Sequence, residues 1–134
     1  MSALIAVRLH ADVGEGVPLL GRFSYDRADP FAVRAEFFTQ DAVLPSWSFD
    51  RQMLAEGLHR PVGEGDVTFR PQPTADGEAV RVGLRDTTAG QGAGAVLCVD
   101  APALARFLAE TYAVIAPGSE TFDADGFIDE LLAR

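Results

Sequence analysis

The chain has no lysine and no asparagine, and its 134 residues include one cysteine and only two histidines. Each shortage removes a class of chemistry. A lone thiol, Cys98, cannot close an internal disulfide. A zinc site needs three or four ligands, and Cys98 with the well-separated His10 and His59 does not supply them. All 11 basic side chains are arginines, scattered singly from Arg8 to Arg134 against 20 carboxylates, for a net charge of −9. Phosphate backbones are bound by clustered cations that release counterions, so nucleic acid is not the expected partner. Lysine and asparagine codons are AT-rich, so their joint absence points to a GC-rich genome and says nothing about mechanism. Long apolar runs are missing too. None approaches the ~20 residues of a membrane span, and Met1 to Val7 is too short an apolar stretch before Arg8 for a secretory signal. A cytoplasmic protein is expected.

What is present describes an ordinary folded chain. With 48% apolar and 23% charged residues, the composition is globular rather than disordered. The length suits a single domain over residues 1–134 that buries roughly two-thirds of its unfolded surface.

The first half alternates as half-buried strands do. Ile5, Val7 and Leu9 share one face, with Arg8 and His10 opposite. After a turn at Gly14-Glu15-Gly16, a second strand carries Leu19, Leu20, Phe23 and Tyr25. Asp29-Pro30 interrupts it, and a third follows with Phe31, Val33, Ala35 and Phe37 on one face; Trp47 and Phe49 mark a short fourth. The spacing then predicts a helix over 51–56, with Asp50 as N-cap and Gly57 as a left-handed ending that folds Leu58 back on Met53. Beyond a Gly63-Glu64-Gly65 turn, three more strands are expected around Val67–Phe69, Val80–Leu84 and Ala95–Val99. Asp100 and Pro102 open a helix carrying Leu104, Phe107, Leu108, Val114 and Ile115. Pro117-Gly118 stops it, and a last helix holds Phe127, Ile128, Leu131 and Leu132, with Asp123 and Asp125 near its start. Strands then helices, without a βαβ rhythm, indicate an α+β fold with an antiparallel sheet of about seven strands.

No catalytic constellation emerges, and neither a metal nor a cofactor is expected. His10 lies on the polar face of its strand and His59 beyond a helix end, both surface or structural places. No nucleophile elbow is present. The run Asp123 to Gly126 resembles part of a calcium loop, but alignment puts Thr121 at the first ligand position and Leu132 at the bidentate Glu. The Gly90–Gly94 loop lacks lysine and precedes a strand, so it fails as a phosphate loop. Cys98, beside Leu97 and Val99, reads as a buried, inert thiol. Phe31, Phe37, Trp47, Phe49 and Phe69 fall at strand alternation and read as core rather than as a base-stacking platform.

Three stretches carry more than composition. They are the strand beginning Phe31-Ala32-Val33, the block from Trp47 to Pro61 with its string Leu54-Ala55-Glu56-Gly57-Leu58-His59-Arg60-Pro61, and the turn Gly65-Asp66-Val67. In order and spacing they resemble the SsgA-like proteins of sporulation-specific cell division in filamentous actinobacteria. The resemblance implies a whirly-like architecture of curved antiparallel sheets, with a short helix after the fourth strand and two C-terminal helices, assembled as a homotrimer. Nine Phe and one Trp in so small a domain independently fit an apolar surface covered between subunits. It also implies a non-enzymatic cytoplasmic factor that positions septa by recruiting the tubulin-like division GTPase FtsZ, together with an SsgA-like paralogue. The alternatives are single-stranded nucleic-acid binding on the same scaffold, or control of cell-wall remodelling or chromosome segregation. Because both this chain and such a GTPase are acidic, charge steering is excluded and a compact patch of apolar residues and arginine is expected to do the binding. The candidate interaction residues are Arg51, Arg60, Glu56 and Glu64. The arginines are expected to be exposed at the flanks of the helix, with local salt bridges to Glu56 or Glu64 as their ordinary alternative.

Overall fold

Alternation of apolar residues builds most of the molecule. The computed structural model describes residues 1–10, 16–41, 43–75, 77–85 and 94–121. In chain order these form β1 (Ser2–His10), β2 (Val17–Asp26), β3 (Asp29–Phe38), β4 (Trp47–Asp50), α1 (Arg51–Glu56), β5 (Val62–Glu64), β6 (Val67–Thr74), β7 (Gly77–Arg85), β8 (Gly94–Asp100) and α2 (Ala101–Val114). The strands make one antiparallel sheet in the order β4-β3-β2-β1-β8-β7-β6-β5. Phe49 of β4 and Phe69 of β6 meet edge to face, with ring centroids 5.3 Å apart. They come from near opposite ends of that order, so the sheet curls until its two ends face each other.

Inside the curl lies the core. Ile5, Val7, Phe23, Val33, Phe37, Val80, Val82, Leu97 and Val99 turn inward from the strands, and α2 closes over them with Leu104, Phe107 and Leu108. Phe107 reaches 6.1 Å from the Phe23 ring, which in turn meets Phe37 edge to face at 6.1 Å. Both helices start as read from sequence. The Asp50 carboxylate accepts the Met53 N–H at 2.9 Å, and the Asp100 carboxylate accepts the Ala103 N–H at 3.0 Å. The last predicted helix, the Asp123–Gly126 run and most of the Gly90–Gly94 loop lie outside the described residues.

Four expectations need correction. The described residues form eight strands rather than seven, because Val62–Glu64 pairs with β6 (Val62 with Phe69, Glu64 with Val67). The turn falls one step later, at Gly65, whose φ of +60° is the left-handed geometry glycine tolerates. Gly57 is not a left-handed cap: its φ is −63°, in the ordinary helical region. Its lack of a side chain has another cause, since a Cβ there would stand 2.5 Å from the Phe69 Cβ. Phe31 is 45% exposed rather than core. The β2–β3 register shifts between Ser24 and Asp26, and that irregularity turns Phe31 out while Pro30 and Val33 are buried. Finally, Leu97 and Val99 are buried but Cys98 is only half-buried on the outer face, where partial burial raises its thiol pKa against the opposing pull of Arg81 and Arg70.

Candidate protein-interaction surface

The four residues singled out from sequence separate into three environments. Arg51, expected at the surface, is 2% exposed. Standing first in α1, its guanidinium is held between two rings, 4.9 Å from the centroid of Tyr25 and 5.1 Å from that of Tyr112. It donates to the Thr111 carbonyl at 3.3 Å and the Ile115 carbonyl at 2.8 Å, and it forms an ion pair with Glu120. The Thr111 carbonyl, which also accepts from the Ile115 N–H, lies in the last turn of α2, and the Ile115 carbonyl lies just beyond it, at the negative end of the helix dipole. A planar fork of donors satisfies them, and this is why a charged side chain is stable there. The hydrogen bond from Arg51 is the main reason the Glu120 carboxyl lies below its ordinary range. Burial pushes the Tyr25 hydroxyl up, with Arg51 pulling the other way, and that hydroxyl donates to the Pro30 carbonyl at 2.8 Å. Arg51 therefore ties α1, β2 and the end of α2 together from within.

Arg60 does remain outside. It forms an exposed ion pair with Glu56 at 2.8 Å, one helical turn away, the local pairing that the sequence offered as the ordinary alternative. Glu64 is exposed at the end of β5 and joins neither arginine in an ion pair among the described residues. His59 is exposed, and half-buried His10 lies against Gly16. Among the described residues no cluster of His, Cys, Asp or Glu is arranged to hold a metal, and no helix is long and apolar enough to cross a membrane.

A different surface stands out on the outer side of β1, β2 and β3. The register sets Leu4 beside Arg22 and Arg22 beside Glu36. The next row sets Ala6 beside Leu20, Leu20 beside Phe38, and Phe38 beside Val43. Leu4 is 59% exposed, Leu20 45% and Val43 79%, while their neighbours Ile5, Leu19 and Phe37 fill the core. The Arg22 guanidinium stacks over the half-buried Phe38 ring at 5.7 Å, a cation–π contact that holds the cation flat on the sheet. The result is a contiguous apolar patch crossed by one arginine. Alternation alone would put polar residues at these outward positions, so Leu4 and Leu20 were the available sequence signal. In the sequence both pass for ordinary members of apolar runs.

Beside the patch, toward β4, lies an open depression of about 700 Å³. Asp26, Asp29 and Glu36 line it with Arg34 and Met1, whose terminal ammonium donates to the Tyr25 carbonyl, a balance that disfavours phosphate.

Comparison with known proteins agrees with the fold. Residues 19–120 match a family model described as Streptomyces sporulation and cell division protein, SsgA. The chain is 37% identical over 136 aligned positions to the sporulation-specific cell division protein SsgB of Streptomyces coelicolor, covering 100% of this chain and 96% of that protein. It is 39% identical over 118 positions to SsgB of Saccharopolyspora erythraea, covering 88% and 79% respectively. A solved structure from work relating SsgB mutations to longitudinal cell division in sporulating Streptomyces coelicolor superposes with a TM-score of 0.80 at 36% identity, covering 89% of this chain and 91% of that one. The crystal structure of an SsgA-like sporulation-specific cell division protein from Thermobifida fusca superposes with a TM-score of 0.81 at 29% identity, covering 99% and 93%.

Proposed function

Since the chain belongs to the SsgA family of sporulation and cell division proteins, we propose that it acts there without catalysis, as a docking factor that positions septum formation by recruiting FtsZ. The observation that supports this is the patch of Leu4, Leu20, Phe38 and Val43 with Arg22 lying across it. Exposed apolar groups of this size, grouped with an arginine and an aromatic ring, are the side chains that dominate protein interfaces. Two acidic proteins meeting there gain little from long-range attraction and much from desolvation. In this reading Arg51 shapes the scaffold, and Arg60, Glu56 and Glu64, on α1, just after it and on β5, stand apart from the patch strands β1 to β3. The acting form is a homotrimer working with an SsgA-like paralogue at the septum.

Co-sedimentation with FtsZ polymers tests the reading. The Leu20→Glu/Arg22→Glu variant should fold normally, because both side chains are exposed, and should lose binding by roughly tenfold or more. Wild-type binding should persist as salt is raised. Undiminished binding by the folded variant, or collapse of wild-type binding at moderate salt, would defeat the patch as the recruiting surface.

A further inference from the structure

The sequence scatters its arginines singly, but the register gathers three of them. On the outer face, Arg70 of β6 lies directly opposite Arg81 of β7, Arg81 opposite Cys98 of β8, and Cys98 opposite Arg8 of β1. At ~4.8 Å between neighbouring strands, this row crosses about 14 Å of sheet. Like charges directly opposite each other on a sheet are unfavourable, and among the described residues no carboxylate pairs with any of the three. Arg8 makes only a long hydrogen bond of 3.4 Å to the Gly16 carbonyl. Asp100, the carboxylate on this face of β8, already caps α2. A chain with net charge −9 thus maintains an unneutralised cationic strip, away from its apolar patch. Arg70 and Arg81 also border an open depression of about 330 Å³, floored by Val62, Gly63 and Thr68. It lies at the edge of the sheet, because β5 pairs with β6 and no other strand follows it among the described residues.

We propose that this strip is a second docking surface and that its occupant is a carboxylate-rich peptide segment of a partner protein. Arginine presents a planar fork that binds carboxylates two-pronged. An extended acidic segment crossing the strands meets the paired Arg70 and Arg81 at one end and Arg8 at the other. The observations favour a peptide over nucleic acid. Strips that bind single strands interleave cations with stacking rings, whereas the same-face neighbours here are Gln72, Thr68, Gly83 and Val96 with one half-buried ring, His10, at the Arg8 end, and the adjacent Phe69 is buried. The strip requires nothing of the division GTPase and stands whether or not that protein docks on the apolar patch.

The test is fluorescence anisotropy with a labelled peptide of alternating Glu and Ala, about eight residues long, enough at ~3.3 Å per residue to span the strip. The matching Gln/Ala peptide and a single-stranded thymidine oligonucleotide serve as the other two probes. Wild-type protein should bind the acidic peptide more tightly than either. The Arg70→Gln/Arg81→Gln variant should weaken that binding roughly tenfold, and binding should fall as salt is raised. Arg106→Gln, which removes one positive charge on the exposed side of α2, should leave it intact. The double variant should also melt at the same temperature as wild type or higher, because a like-charge contact is relieved. Three results would each overturn the proposal: equal binding of the acidic peptide by wild type and double variant, tighter binding of the oligonucleotide, or a lowered melting point showing that the arginines are structural.

Discussion

Gly57 and Phe69 are fitted to each other: a methyl group at 57 would stand 2.5 Å from the Phe69 Cβ, closer than real Cβ contacts come. The backbone at 57 is helical, so propensity alone predicts that Gly57→Ala gains about 0.4–1 kcal/mol. Phe69 is 1% exposed and wedged against Phe49, so it cannot retreat. Overpacking of this kind costs about 1–3 kcal/mol. Gly57→Ala should therefore lower the thermal midpoint, and an unchanged or raised midpoint would show that the contact is loose.

Arg51 and Arg60 flank the same helix and should respond oppositely to truncation. Removing the Arg51 side chain takes the donor from the Ile115 carbonyl and the partner from the Glu120 carboxylate and empties the space between two tyrosines. Arg51→Ala should cost about 3 kcal/mol or more, visible in urea denaturation. Arg60→Ala breaks only an exposed pair and should stay within about 0.5 kcal/mol of wild type. Equal small effects would mean that the buried arrangement is absent in solution.

The partner of Arg51 brings in pH. Glu120 titrates below its ordinary range because Arg51 donates to its carboxylate. An acid depressed by folding stabilises the native state at every pH above its unfolded pKa, about 4.3. That contribution is lost as pH falls through the lower native value. Stability should accordingly decline on acidification below about pH 4.3, and Glu120→Gln should flatten that part of the profile while lowering stability at neutral pH. A variant with the wild-type acid profile would sever the link.

Phe31 and Phe37 sit in one strand with opposite consequences. Phe37 is 2% exposed and meets Phe23 edge to face, so Phe37→Ala should cost about 3–5 kcal/mol. Phe31 points outward, and Phe31→Ser should leave the denaturation midpoint within about 0.5 kcal/mol of wild type.

These contrasts show where the sequence could be read and where it could not. Caps were legible because they act within three residues: Asp50 and Asp100 announce the two helices by local chemistry alone. Inward faces were legible wherever alternation ran unbroken, as in Ile5 and Val7 or Val80 to Leu84. Phe31 failed because one register shift reverses parity without leaving a mark in the composition. Strand β5, with its glycine, has too few residues to show any period. Arg51 failed for a deeper reason. Tyr25, Thr111, Tyr112 and Glu120 are remote from it along the chain and converge only in three dimensions. The interaction surfaces were hidden in the same way, because cross-strand rows exist only once the register does.

The strand order has a mechanical consequence. It places two four-strand meanders end to end, β1 through β4 and β5 through β8, each assembled from neighbouring hairpins. They are joined in the sheet only where β1 meets β8, along four residue pairs from Val7–Val99 to His10–Val96. That seam unites segments about two-thirds of the chain apart, so it bears the largest loop-closure entropy and is the natural place for the sheet to part. The apolar patch lies on one side of it, and the arginine row crosses it at Arg8 and Cys98. Anything gripping both surfaces would act as a staple across the joint. Its arrival would register first as slowed amide exchange in β1 and β8, far from the edges of the sheet.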